Sequence, residues 1–271
     1  MCTPPSLSAL WRKSAPRSAS SWPVRERLSK PIVNAGFRFI VVLEKLMARY
    51  SLVGNTPFLL TERFDWVPAL EAEWKAIRSE LDLVMTYRDD LPDFHDIQSD
   101  QATLTDDDSW KTYFFYGYGF KSDRNCARCP ATTAAVERIP GMTTAFFSIL
   151  SPHKHIDEHR GPYKGVLRYH LALAVPEPES ACGIKVGGEV AHWQEGKSLV
   201  FDDTYQHEAW NDTDGYRTIL FVDVVRPLPW PIAALNWLVI KAIAWSPYVG
   251  ESKSNHLDWE RRFEERRAAR G

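Results

Sequence analysis

Val166-Leu-Arg-Tyr-His-Leu-Ala-Leu-Ala-Val175 decides how this chain is read. Ten residues of β-branched, aromatic and apolar character predict a strand, and period-2 alternation sends Arg168 and His170 to one face. Their neighbours on that face, Ala172 and Ala174, are small and leave room for a ligand. Working outward, the aromatic run Lys111 to Phe120, then Thr144 to Leu150, Ser198 to Asp202 and Thr218 to Val225 read as further strands. Gly187-Gly188 between Ile184–Val186 and Glu189–Trp193 is a hairpin signal. Short strands at close spacing without intervening helices predict an antiparallel barrel or sandwich.

The flanks are helical. Residues 31 to 50 hold an apolar run broken by Arg38, Glu44 and Lys45, which reads as an amphipathic helix too interrupted to span a bilayer. A second helix is expected after Asp65 as N-cap, with Leu70, Trp74, Ile77 and Leu81 on one stripe. Between Pro229 and Pro247 lies a Trp-rich apolar segment, too short to cross a bilayer, which packs on the core or on a second copy, or meets a membrane surface. The end, from Trp259, alternates charge and reads as a solvated helix. The expected organisation is therefore a disordered arm over 1–30, helices over 31–107, a β core over 108–228 and a helical tail over 229–271.

Bulk properties narrow the function. At 271 residues and net charge −2 there is room for one substantial core and no electrostatic case for nucleic acid. Four cysteines are too few for a disulfide framework, and Cys126-Ala-Arg-Cys129 lacks a second pair, so a structural role in a reducing compartment is expected. The first 30 residues contain no continuous apolar run, which argues against a secretory signal and for a cytoplasmic protein, with peripheral membrane contact through 229–249 left open.

The chemistry sits in polar residues among the strands. Arg168 and Arg217, facing inward, want bidentate carboxylate partners, because an unpaired buried guanidinium is costly. Internal salt bridges are the plainer alternative. His159 precedes the strand Val166–Val175 by a Gly161-Pro162 turn, and His207 follows Asp202-Asp203 at the end of another strand. Two imidazoles at the mouths of neighbouring strands suit Fe(II) with positions left open for O2.

Residues about 108 to 228 resemble the aspartyl/asparaginyl β-hydroxylase family. The segments that carry the likeness are His159 to Leu173, Gly196 to Trp210 and Arg217 to Val224, in order. The resemblance extends to bacterial hydroxylases of lipid acyl chains. It implies a double-stranded β-helix of cupin-like jelly-roll form and Fe(II), 2-oxoglutarate and O2 as cofactors. It also implies His159 and His207 as iron ligands, Arg168 and His170 on the 1-carboxylate of 2-oxoglutarate, and Ser148 and Arg217 on its 5-carboxylate. Trp110 matches a tryptophan near the active site.

One departure matters. Most such enzymes carry Asp or Glu two residues after the first histidine, and here that residue is Gly161. The protein-hydroxylase branch shares the two-histidine arrangement, so hydroxylation of aspartyl or asparaginyl residues is the first expectation and of a lipid acyl chain the alternative. A non-catalytic carboxylate-binding barrel is the third. A rival triad uses His155-Ile-Asp157 with His207. Otherwise His155 and Asp157 are expected at the entrance, touching a peptide, amino-acid or lipid substrate.

Overall fold

A computed structural model describes residues 41–98 and 107–270. The expected arm over 1–30 and the start of the first helix lie outside them. The chain divides into two units, Met1–Leu43 and Glu44–Gly271, and among the described residues every strand belongs to the second.

Helix α1 covers 41–50, and β1 is Phe58–Leu59. The single helix expected after Asp65 is two: α2 (Val67–Ala72) and α3 (Trp74–Met85), joined at Glu73. Asp65 does not cap them. Trp66 holds the N-cap without a side-chain bond, and Pro68 fits the first turn. A short α4 (Phe94–Ile97) leads to β2 (Trp110–Gly117) and β3 (Phe120–Lys121). Then come α5 (Asp123–Arg128) and α6 (Pro130–Glu137). Cys126 and Cys129 are free and buried in the core beside these two helices, as structural residues are.

The remaining strands are β4 (Met142–Leu150), β5 (Lys154–His159), β6 (Val166–Ala174), β7 (Cys182–Val186), β8 (Glu189–His192), β9 (Ser198–Phe201), β10 (His207–Asn211) and β11 (Arg217–Val225). They form two antiparallel sheets, in the orders β1-β9-β6-β11-β4-β2-β3 and β5-β10-β7-β8. This is a jelly roll. Gly187 and Gly188, both at positive φ, close the two-residue hairpin between β7 and β8.

Alternation along β6 and β11 builds two cores on opposite faces of the larger sheet. Tyr169, Leu171, Leu173, Leu220 and Val222 point outward and are covered by Leu70, Ile77 and Leu81 of the N-terminal helices. Ala172, Ile219 and Phe221 point inward with Phe146, meeting Ile184, Val186 and Ala209 of the smaller sheet. Each fully buried apolar side chain contributes roughly 1.5–3 kcal/mol. The larger sheet is thus fixed from both sides, and polar residues on its inner face are held rigidly.

Helices α7 (Ile232–Ala244) and α8 (Pro247–Arg270) follow. The charged end is not solvated all round. Trp259 and Phe263 are buried in the outer core, and Arg128 pairs with Glu264.

Candidate active site

β5 and β10 lie side by side in the smaller sheet, with His159 opposite His207. The two histidines are cross-strand partners, the last residue of β5 and the first of β10, at the ends of neighbouring strands. Their ring centroids are 4.1 Å apart. Each Nδ1 faces a backbone carbonyl: His159 meets Asp157 O at 2.7 Å, and His207 meets Tyr205 O at 3.0 Å. A carbonyl only accepts, so both Nδ1 atoms carry the proton and both Nε2 lone pairs are free. Burial, with His207 alongside, pushes His159 down to about 3, and burial beside Arg168 pushes His207 down to about 4. Two neutral imidazoles presenting Nε2 form a donor set suited to a divalent transition metal.

A β-bulge decides between His159 and the rival His155. From His207 to Ala209 the partner strand advances three residues, from His159 to Ile156. His159 therefore shares a face with the buried Ile156, while His155 lies opposite Trp210 and pairs with Glu208 at 3.0 Å on the exposed face. Asp157 is exposed and contributes its carbonyl to His159. His155 thus stands on the other face of the strand from His159, and neither it nor Asp157 lines the cleft described below.

Gly161 is explained by its neighbour. Its N–H donates to Asp203 O at 2.6 Å, and a Cβ placed on it would lie 2.1 Å from Asp203 Oδ2. The Asp203 carboxylate fills the space that a side chain at 161 would need. Asp203 also pairs with Arg168 at 2.9 Å, and Arg168 reaches Asp223 at 3.2 Å. Of the two inward arginines, Arg168 is therefore held by internal salt bridges instead of awaiting a ligand. Burial pushes Asp223 up to about 6 and raises Asp203. Among the described residues no group of three or more His, Cys, Asp or Glu side chains is arranged to hold a metal ion.

Arg217 is the opposite case. It is 2% exposed, and its Nε and one Nη have no hydrogen-bond partner. His170 is buried with both ring nitrogens unpartnered, and Trp193, stacked 6.0 Å from it, has an unpartnered Nε1. The same Trp193 ring lies 4.5 Å under the Arg217 guanidinium. Burial pushes Arg217 down to about 10, and burial beside Arg217 and Arg168 drives His170 well below the usual histidine range. Such orphaned donors cost about 1–3 kcal/mol each unless a ligand satisfies them. Ser148 is buried one strand away on β4, opposite Ile219, and accepts from Trp110 Nε1 at 2.9 Å. Register thus brings Ser148, Trp110, His170 and Arg217 onto the inner face of the larger sheet.

Asp203, Asp223 and Trp193 escape the sequence reading. Asp223 gives the same signal as Arg168 and His170, a charge inside an apolar strand. A cleft runs from His159, Gly161, Arg168, Asp203 and Asp223 along a wall of Phe94, Phe114, Phe146, Phe221, Ile243 and Val249.

The fold is a jelly roll carrying two paired imidazoles, of which His159 lines the cleft. The aspartyl/asparaginyl β-hydroxylase family profile matches residues 71–227, and the chain belongs to that family. It is 48% identical over 220 residues to an ornithine lipid ester-linked acyl 2-hydroxylase of Rhizobium tropici, covering 81% of this chain and 78% of that protein. It is 33% identical over 166 residues to an aspartyl/asparaginyl β-hydroxylase of Mus musculus, covering 59% of this chain and 22% of that protein. A cupin domain of a transcriptional regulator from Enterobacter cloacae overlies 44% of this chain and 99% of its own, at 13% identity and a TM-score of 0.31. The fold assignment rests on the sheet order and not on that overlay. Family membership and the two sequence relatives make the chain a hydroxylase.

Proposed function

We propose that the chain is an Fe(II)- and 2-oxoglutarate-dependent dioxygenase that hydroxylates a lipid acyl chain. The observation that carries the cofactor reading is the buried, unpaired Arg217 beside an unpartnered His170. A guanidinium in that position is expensive unless a carboxylate seats against it. His170, Arg217 and Ser148 fit a dicarboxylate, and the two free Nε2 atoms fit the iron. When bound, iron and 2-oxoglutarate supply the oxidising power that turns an unactivated C–H bond, with O2, into C–OH while 2-oxoglutarate becomes succinate and CO2.

The chain's own residues do the rest. The carbonyls of Asp157 and Tyr205 hold His159 and His207 in the Nδ1–H form, so Nε2 is presented without a competing proton. Burial keeps both rings neutral at neutral pH. Arg217 supplies a fixed charge that cannot deprotonate near neutrality, and Trp193 under it removes the freedom to swing away. The Arg168–Asp203–Asp223 cluster keeps the polar end rigid. The aromatic wall excludes water and aligns an extended alkyl chain past the histidines.

The acyl reading is preferred because Phe94, Phe114, Phe146 and Phe221 line the same cleft as His159, and because a relative aligned over most of both chains carries that activity in its name. Hydroxylation of aspartyl or asparaginyl residues is the second reading, favoured by Gly161 in place of a ligating carboxylate. The test is incubation with Fe(II), 2-oxoglutarate, O2 and a detergent-dispersed lipid bearing an ester-linked acyl chain, followed by mass spectrometry. One oxygen gained per succinate formed is expected. Oxygen gained by an Asp- or Asn-containing peptide, with the lipid unchanged, would overturn the acyl reading in favour of the second.

A further inference from the structure

Helix α7 is apolar nearly all round, its outer face included. Its outward stripe, at steps of three and four residues, consists of Ala234, Trp237, Leu238, Lys241, Ala242 and Trp245. Trp237 is 55% exposed, Leu238 59% and Trp245 89%, and Trp230 just before the helix is 83% exposed. The uncharged polar residue of the helix, Asn236, faces inward and is fully buried. Its Oδ1 accepts from Tyr163 Oη at 2.7 Å, and its Nδ2 donates to Gly165 O at 2.8 Å. A helix covering a soluble core presents the reverse pattern. Tryptophans and a leucine set in a row against solvent mark a surface that is covered in use.

Charge selects what covers it. From Pro227 to Gly250 the sequence has no Asp or Glu and one cation, Lys241, which sits in the middle of the stripe over the Trp237 ring at 5.4 Å. Two copies apposed on this face would bring Lys241 towards Lys241 with no acid from the stripe to pair either. An anionic lipid surface takes the same lysine as a phosphate contact, and Trp favours the bilayer interface. Among the described residues no single helix is long and apolar enough to cross a membrane. Thirteen residues are about 20 Å of helix, which lies along a surface instead of spanning it.

The stripe is also continuous with the site. Ile243 on α7 and Val249 on α8 form part of the cleft wall. Asn236 ties α7 to the Tyr163–Gly165 loop, which joins the Gly161 turn to β6. We propose that the Trp230, Trp237, Leu238 and Trp245 face of α7 lies on an anionic bilayer and that the acyl chain passes from the membrane past Ile243 into the cleft. The proposal rests on the acyl-lipid reading for the passage and on the helix alone for the docking.

The test uses the full chain and vesicles of phosphatidylethanolamine and phosphatidylglycerol. Wild type is expected to co-sediment with the vesicles, with its tryptophan emission shifted to shorter wavelength. Leu238→Glu, and separately the pair Trp237→Ser and Trp245→Ser, should weaken partitioning by about tenfold or more, since each removes apolar area from the interface. On vesicle-embedded acyl lipid these variants should raise KM by a similar factor, while activity on the same lipid in detergent micelles is unchanged. Wild type left in the supernatant, or Leu238→Glu partitioning like wild type, would overturn the docking even if the micellar lipid is hydroxylated. A dimer in vesicle-free sedimentation that Leu238→Glu dissociates would also overturn it, in favour of a second copy. Vesicle binding that needs Leu238, in a protein that hydroxylates only peptides, would uphold the docking and sink the acyl reading instead.

Discussion

Replacing Gly161 by alanine tests the packing at the head of the cleft. The new methyl would sit 2.1 to 2.5 Å from the carboxylate atoms of Asp203, whose buried side chain pairs with Arg168. Neither the methyl nor the short, ion-paired carboxylate can move freely. Overpacking of this kind costs roughly 1–3 kcal/mol. For a chain of this size that is about 2 to 4 °C of melting temperature per kcal/mol. The discriminating assay is a double-mutant cycle by chemical denaturation with Asp203→Ala. If the clash is the cause, Gly161→Ala should cost almost nothing once the carboxylate is gone, giving a coupling of about 1–3 kcal/mol. Additive costs would show that Gly161 is required for another reason and would refute the reasoning.

Arg217→Met should leave the ligand-free protein as stable as wild type or more so, because it removes a buried, unsatisfied guanidinium. It should also abolish the stabilisation by 2-oxoglutarate, about 2.7 kcal/mol at a hundredfold excess over Kd, in thermal melts with and without the ligand. Asp202→Ala should cost about 3–5 kcal/mol by denaturation, since the fully buried Asp202 carboxylate pairs with both Arg226 and Lys164. His256 is buried with neither ring nitrogen hydrogen-bonded, and burial, opposed by Glu260 at 3.9 Å, holds its pKa below the ordinary value of 6.5. The unfolded chain binds that proton more tightly, so His256 subtracts stability as pH falls from about 6.5 towards its folded value. His256→Phe should remove up to about 1.4 kcal/mol per pH unit of that loss, and parallel stability–pH curves for the two proteins would contradict it.

The larger sheet is legible in the sequence because its strands are buried on both faces and read as long apolar runs. Strand β6, the Gly187-Gly188 hairpin and β11 are found where alternation and turn chemistry put them. Arg168, His170 and Arg217 stand out by the same logic, as charge where the pattern expects none. Of the smaller sheet only that hairpin, β7 with β8, is legible. Lys154-His-Ile-Asp-Glu-His159 has one buried apolar residue and a bulge, so β5 carries no period and the choice between His155 and His159 hangs on register. Asp203 is equally hidden, because its meaning lies in a close approach to Gly161 between two loops far apart in sequence. The Trp-rich tail shows its apolar character in sequence. Which side of α7 faces out depends on Asn236 finding partners in the Tyr163–Gly165 loop, which no local pattern encodes.

The central claim is that His159 and His207 hold Fe(II) while Arg217 and His170 seat 2-oxoglutarate against it. The most direct measurement is anaerobic titration of the Fe(II)-loaded protein with 2-oxoglutarate, following the visible charge-transfer absorption that appears when the keto acid chelates the metal. The band should develop in wild type and in His155→Ala, fail in His207→Ala and His159→Ala, and require far higher 2-oxoglutarate in Arg217→Met. A band that survives loss of His159 but not of His155, or that is indifferent to Arg217, would contradict the account.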